Sequence, residues 1–268
     1  MIEMESYLDE SGIHDQALVC IIAGYFGTQR QLQKLEKAWK QTLRDFDFPM
    51  EDFHAKDLIK KHDHRKMLEK LAKTISKQPK VHPVSYGIIV EDFNSFTLEQ
   101  RRFLTGATLQ SSGELDQAGC PNKPYFVPFQ NVVKLLTDYA PEGGKVHFSF
   151  GIDRPFYGYA TELFKQMVDL TQAAEKPWST WKSRDRLGTT QQPLAKETAQ
   201  LQAADLLAHL TYLHMLEWIK AGKVAKRSDL LGYCITHTKS RADHVYQNKK
   251  ALEAVLAQAR QLVPNAKI

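Results

Sequence analysis

Apolar and polar residues alternate along this chain in two different rhythms. Continuous or every-second apolar positions are typical of strands, and apolar positions three or four apart are typical of helices. Residues 17–26 form a nearly unbroken apolar run, which predicts a strand buried on both faces. The predicted strands are 4–9, 17–26, 81–90, 145–152 and 178–183, and the predicted helices are 29–45, 63–77, 127–139, 155–173, 198–221 and 242–261.

Strands come first in this order, and then strands and helices alternate. That order predicts an α/β protein with a mixed central sheet flanked by helices. We find no internal repeat or low-complexity linker, so we interpret residues 1–268 as one domain. Residues 94–123 are polar and interrupt the alternation, which suggests an insertion, and residues 218–268 are interpreted as a C-terminal helical extension.

Composition narrows the class of protein. Among 268 residues, 43% are apolar and 25% are charged, as in globular proteins. The three cysteines are far apart, which argues against a disulfide scaffold or a structural zinc site. The N-terminus lacks the basic and apolar stretches of a signal peptide, and the longest apolar run contains two histidines and a glutamate. We therefore expect a cytoplasmic protein without a membrane partner.

Carboxylates fall at informative places in the predicted elements. Asp9 ends the first strand, and Asp153 follows the strand at 145–152. Asp205 lies between Gln202 and His209 on the single polar stripe of an otherwise apolar helix. A buried ionised carboxylate is costly without a partner, so Asp205 should face a cation or strong donors. Turn chemistry for Asp9, a helix cap for Asp153 and a structural Asp–His pair on the helix are the alternatives.

A fourth acidic position lies in the segment MEDFHAKDL. Asp52 and His54 are two residues apart and point the same way if this segment is extended, with Glu51 as a competing acid. A solvated acidic loop is the alternative. Several carboxylates that converge on one point are the usual ligands of Mg²⁺ or Mn²⁺. One or two such ions are therefore the predicted cofactor, and His54 or His209 could move a proton.

Four segments of the chain carry a family resemblance: YLDESG, DFHAKDL, FSFGIDRP and LQAADLLAHL. Over roughly residues 5–212 they resemble an uncharacterised bacterial family with a ribonuclease-H-like fold, met in phage, mobile-element and defence contexts. The resemblance implies an acidic metal site of ribonuclease-H type. Its ligands here would be Asp9, Asp153 and Asp205. Asp52 and His54 match the family's acidic-x-His position.

The same resemblance places Glu10 in the family motif. Because neighbouring strand residues point to opposite faces, Glu10 is expected to have only a supporting role if Asp9 points into the site. Glu51 and Gln202 are the other expected supporting residues. The chain has no P-loop, zincin or nucleophile-elbow motif, which argues against those enzyme classes.

The formal net charge of +5 is unevenly distributed. Residues 56–80 hold nine Lys and Arg against three Asp and Glu, and residues 218–250 hold eight against two. Clustered basic residues are typical of phosphate binding, although an ordinary solvated face is the alternative. Two tryptophans beside basic residues, Trp178 and Trp181, could stack bases or belong to the core. The candidate nucleic-acid contacts are Arg65, Lys66, Lys70, Lys73, Lys182 and Arg184.

Together these patterns predict a divalent-metal-dependent nuclease that hydrolyses phosphodiester bonds of RNA or DNA. Two alternatives use the same scaffold without catalysis. One is a nucleic-acid-binding module, and the other is a protein-interaction module such as a phage or mobile-element accessory protein. The natural substrate and the oligomeric state are not assigned by the sequence.

Overall fold

A computed structural model describes residues 2–14, 16–116, 122–151, 154–172, 181, 183–193, 197–222, 225–235 and 243–268. The strands are β1 (Glu3–Ser11), β2 (Val19–Thr28), β3 (His82–Ile89), β4 (Thr108–Leu109), β5 (Leu115–Asp116), β6 (Lys145–Phe150), β7 (Leu187–Gln191) and β8 (Asp243–Gln247). The helices are α1 (Gln29–Asp45), α2 (Ala55–Leu58), α3 (Arg65–Ser76), α4 (Val90–Asn94), α5 (Leu98–Leu104), α6 (Phe126–Tyr139), α7 (Arg154–Gln172), α8 (Ala199–Ala221), α9 (Asp229–Ile235) and α10 (Lys249–Leu262). Single 3-10 turns cover Met50–Asp52, His62–His64 and Arg184–Arg186.

Six of these strands form one mixed sheet in the order β7-β6-β1-β2-β3-β8. β1, β2 and β3 are successively antiparallel, whereas β6 runs parallel to β1, β7 to β6, and β8 to β3. The predicted α/β class with a mixed central sheet flanked by helices is confirmed, and the arrangement is consistent with a ribonuclease-H-like fold. The carboxyl ends of β1 and β6 meet at one edge of the sheet, which is where sites form in such folds.

Both faces of the sheet are covered by helices. On β2, Cys20 and Ile22 join the core that contains α6 and α7, and Ile21 and Tyr25 join the core that contains α1, α3 and α8. Every residue from Val19 to Gly27 is buried. The strand predicted from the apolar run is therefore buried on both faces, as expected.

The strand expected at 178–183 lies largely outside the described residues, because only residues 181 and 183 of that range are described. The described edge strand on this side of the sheet is β7 at Leu187–Gln191, which pairs with β6. The helix expected over 242–261 begins only at Lys249, since Asn248 caps it by accepting a hydrogen bond from the N–H of Ala251. The residues before that cap form β8, so the C-terminal segment adds a strand as well as helices.

The segment expected to be an insertion contains α5 and a two-stranded hairpin, β4 with β5, outside the main sheet. In the part of the chain that the structure describes, no helix is both long and apolar enough to cross a membrane.

Candidate functional site

An open cleft of about 910 Å³ lies at the carboxyl ends of β1 and β6, between α8 and the loop that leads into α2. Carboxylates dominate its described lining, with one lysine and three histidines beside them. The acids are Asp9, Glu10, Glu51, Asp52, Asp57 and Asp205; the other ionisable groups of the lining are Lys56, His14, His54, His209 and Tyr212. The negative charge of the cleft favours cations over anions.

Asp9 is positioned by the pairing of β1 with β6. The N–H of Gly151, just past the end of β6, donates to the carbonyl of Leu8 at 2.8 Å and extends the parallel ladder. A Cβ atom placed on Gly151 would lie 2.7 Å from Oδ1 of Asp9, so only glycine leaves room for the carboxylate. The N–H of Glu10 donates to the same oxygen at 3.0 Å. Two backbone features therefore hold Asp9 in place.

Asp205 projects from α8 towards the start of α2. Its Oδ2 accepts the backbone N–H of Ala55 at 2.8 Å. Asp205 thus faces a strong donor, which is one of the two environments expected for a carboxylate on this buried helix. The contact joins residues 150 positions apart and ties the acidic loop to α8.

Both Asp9 and Asp205 have raised pKa values, and Asp205 contributes to the shift of Asp9. Burial raises the pKa of Asp9 well above its usual value, and the carboxylates of Glu10 and Asp205 raise it further. Burial also raises the pKa of Asp205, although the N–H of Ala55 and the nearby His54 partly oppose the change. Among the described residues, neither acid forms an ion pair with Lys or Arg. Such a pair favours a bound proton or a bound cation.

The acidic-x-His segment forms one wall of the cleft. Glu51 and Asp52 are exposed in the 3-10 turn, which replaces the extended conformation that would align Asp52 with His54. His54 is exposed, and its Nδ1 lies 2.8 Å from Oδ2 of Asp57. That hydrogen bond lowers the pKa of Asp57. These side chains reach the cleft from its rim.

Gln202 is engaged in structural contacts. Its Oε1 accepts a hydrogen bond from Nε1 of Trp39 at 3.0 Å, and its Nε2 donates to the carbonyl of Met50 at 2.7 Å. Gln202 therefore holds the acidic loop against α1 and α8.

His209 lies one turn beyond Asp205 on α8 and stacks on Tyr212, with ring centroids 6.1 Å apart. Burial, together with the nearby charges of His54 and Lys56, lowers the pKa of His209 to about 4. His209 is therefore a neutral imidazole near pH 7. It suits accepting a proton better than donating one.

Five of the predicted site residues are described and lie outside the cleft lining: Arg65, Lys66, Lys70, Lys73 and Arg184. Asp153 and Lys182 lie outside the described residues. Arg65, Lys66 and Lys70 are exposed on α3, and the Nζ of Lys73 lies over the ring of Tyr233 at 5.0 Å. Arg184 is half-buried beside an apolar pocket formed by α5, α6 and α10, with Trp181.

Some residues of the cleft lining were not predicted from the sequence. Asp57 lies within the segment DFHAKDL, so its neighbourhood carried a signal although Asp57 itself was not predicted as a site residue. No pattern in the sequence pointed to Tyr212 or His14 as a cleft residue. Among the described residues, no group of three or more His, Cys, Asp and Glu side chains forms a cluster able to hold a metal ion. The third expected ligand, Asp153, lies outside the described residues.

Comparisons with protein-family models, with curated proteins and with solved structures found no match to this chain. The family resemblance therefore remains an expectation from the sequence.

Proposed function

We propose that this protein is a divalent-metal-dependent phosphodiesterase that acts on RNA or DNA. The observation that carries the proposal is the juxtaposition of Asp9 and Asp205 at the floor of an acidic cleft, each with a raised pKa and without a described cation partner. Asp153, two residues beyond the glycine that touches Asp9, is the proposed third ligand.

The donor set fits Mg²⁺ or Mn²⁺. Both ions prefer carboxylate oxygens, and the described cleft offers acids rather than the thiolates and imidazole clusters that favour zinc. Bound ions of this kind supply an activated water and neutralise charge during phosphodiester hydrolysis. The backbone contacts of Asp9 and Asp205 would orient their carboxylates before any ion binds.

Two histidines are suited to moving protons. His209, neutral and buried beside Asp205, could accept a proton inside the cleft. His54 is exposed and paired with Asp57, so it could exchange protons with solvent at the rim. This division follows from their burial and needs no rearrangement of the cleft walls.

A polyanionic substrate fits this cleft only when cations offset its charge. Lys56 is the lysine of the described lining, and the exposed side chains of Arg65, Lys66 and Lys70 lie on α3, which follows the cleft loop in sequence. We therefore propose that divalent ions are required for nucleic acid to enter the cleft, as well as for its cleavage.

The test uses Asp9→Asn and Asp205→Asn, with Asp45→Asn as the matched control. Asp45 is exposed at the end of α1 and outside the cleft lining. Cleavage of RNA, DNA and hybrid duplexes is followed with Mn²⁺, and the thermal midpoint is measured with and without Mn²⁺. We expect both cleft variants to lose cleavage by about 10²-fold or more and to lose the Mn²⁺ stabilisation, and the control to keep both.

Three outcomes would contradict the proposal. The first is cleavage unaffected by either cleft substitution. The second is wild-type protein whose thermal midpoint does not respond to Mn²⁺. The third is salt-dependent binding of nucleic acid without cleavage in any divalent metal, which would favour the non-catalytic binding module.

A further inference from the structure

A second, smaller pocket lies beside the C-terminal half of α8. Its volume is about 130 Å³. Thr211, His214 and Trp218 line it from one side of the helix, at positions i, i+3 and i+7. Strand β8 contributes His244 and Tyr246, and the ring of Tyr246 packs edge-on against Trp218 at 5.5 Å. Leu231 and Ile235 of α9 complete the apolar wall, and Ala225 and Arg227 lie at the segment before α9.

Three buried polar atoms in this pocket have no hydrogen-bond partner in the part of the chain that the structure describes. They are Oγ1 of Thr211, Nδ1 of His214 and Nε2 of His244. Thr211 is fully buried, and His214 is 7% exposed. Leaving buried polar groups unpaired is costly, and folded proteins contain few of them. Three such atoms around one cavity indicate that a polar occupant belongs there.

The hydrogen-bonding capacity of the pocket favours an acceptor as the occupant. Nδ1 of His244 is hydrogen-bonded to the hydroxyl of Ser85. If that hydroxyl donates, the ring proton of His244 is on Nε2 and points into the cavity. Burial lowers the pKa of His244 to about 4, and burial likewise lowers the pKa of His214, so both rings are neutral near pH 7. Each neutral ring can offer one N–H, and Thr211 can offer its O–H.

The charges around the pocket favour an anion over a metal ion as its occupant. Arg227 lines the pocket together with His214 and His244, and its positive charge lowers the pKa of both rings. Glu217 acts in the opposite sense on His214 alone. A cation bound between the two histidines would face Arg227, whereas an anion would be attracted to it.

We propose that this pocket binds a small oxyanion of the phosphate type, held by the guanidinium of Arg227, the ring N–H groups of His214 and His244, and the hydroxyl of Thr211. The cavity holds the volume of roughly four waters at about 30 Å³ each, which suits a tetrahedral anion but not a nucleoside. The anion is either free phosphate or the terminal phosphate of a longer molecule whose remainder extends past exposed Arg227.

The pocket is separate from the acidic cleft. His214 follows Asp205 by nine residues of α8, which is about 13.5 Å along the helix axis and two and a half turns, so the two side chains leave opposite sides of the helix. The proposal therefore does not depend on the phosphodiesterase proposal, and either can fail alone.

The experiment measures binding of inorganic phosphate to the full chain by titration calorimetry, in a phosphate-free buffer at pH 7 with EDTA. Arg227→Gln removes the charge at an exposed position, and Thr211→Val removes an unpaired hydroxyl with little change of shape. Lys226→Gln is the matched control, because Lys226 is an exposed neighbour of equal charge outside the pocket lining. We expect saturable one-site binding that weakens about tenfold or more in Arg227→Gln, weakens in Thr211→Val and is unchanged in Lys226→Gln.

A 5′-phosphorylated oligonucleotide and its 5′-hydroxyl counterpart then compete with phosphate. Displacement by the phosphorylated form alone identifies a chain end as the occupant, and no displacement by either identifies free phosphate; both results require the saturable site. The proposal is overturned if wild-type protein does not bind phosphate, or if Lys226→Gln weakens binding as much as Arg227→Gln does.

Discussion

Substituting alanine for Gly151 tests the position of Asp9 with a single methyl group. The added Cβ would lie 2.7 Å from Oδ1 of Asp9 and 3.1 Å from its Cγ, whereas ordinary Cβ contacts begin at 3.4 Å. The carboxylate must therefore retreat by about 0.7 Å. The backbone at Gly151 is outside the left-handed region, so alanine itself adds no strain there. A displacement near 1 Å at a reacting centre can cost about 10²-fold, so we expect Gly151→Ala to lose roughly 10- to 100-fold in cleavage rate.

Gly158→Ala in α7 is the matched control, because a Cβ there meets nothing within 4 Å. It should keep activity and gain up to about 1 kcal/mol of stability, since alanine favours helices over glycine. The assay is the initial rate of Mn²⁺-dependent cleavage, with urea denaturation to show that Gly151→Ala loses less than about 2 kcal/mol. Full activity in Gly151→Ala would refute the placement of Asp9 at the reacting centre, and an equal loss in Gly158→Ala would show that the effect is not local.

Two further predictions concern stability. The pKa of Asp9 in the folded chain is raised above its usual value of 3.8, so the folded state retains a proton that the unfolded state has lost. In EDTA, Asp9 therefore lowers the free energy of unfolding progressively as the pH rises above 3.8. Asp9→Asn should therefore gain stability relative to wild type between pH 4 and pH 8 in urea denaturation, and a difference independent of pH would contradict this. Gln202→Ala should cost about 1–3 kcal/mol, because it leaves the buried Nε1 of Trp39 without its acceptor. A loss below about 0.5 kcal/mol would show that water replaces the amide, and Gln41→Ala at an exposed position of α1 is the control.

The spacing of apolar residues predicted the elements that are buried on all sides. The apolar run of β2 and the all-round apolar surface of α8 predicted two buried elements, because a strand or helix covered on every side has no polar face to display. The single polar stripe on α8 likewise singled out Asp205, since a carboxylate among buried neighbours needs a partner. The bounds of α1 matched the prediction at both ends.

The position of β8 was not readable in the same way. Residues 243–247 alternate too briefly to distinguish a strand from the first turn of a helix, and they become a strand because β3 offers them a free parallel edge. Which strand pairs with which is decided in the folded sheet, so no local sequence pattern predicts it. For the same reason the pocket between α8 and β8 had no signature in the sequence.

Some features of the acidic cleft were likewise predictable from the sequence, and others were not. The sequence by itself singled out Asp205, because that carboxylate interrupts the apolar surface of one helix. Asp9 was predicted to end the first strand, but β1 continues to Ser11 because its pairing with β2 continues past Asp9. Only the tertiary structure decided which carboxylates meet. The parallel register of β1 with β6 brings Gly151 against Asp9, and the contact of Ala55 with Asp205 spans 150 positions. Such contacts depend on chain crossings and loop closure, which are set by the packing of the whole domain.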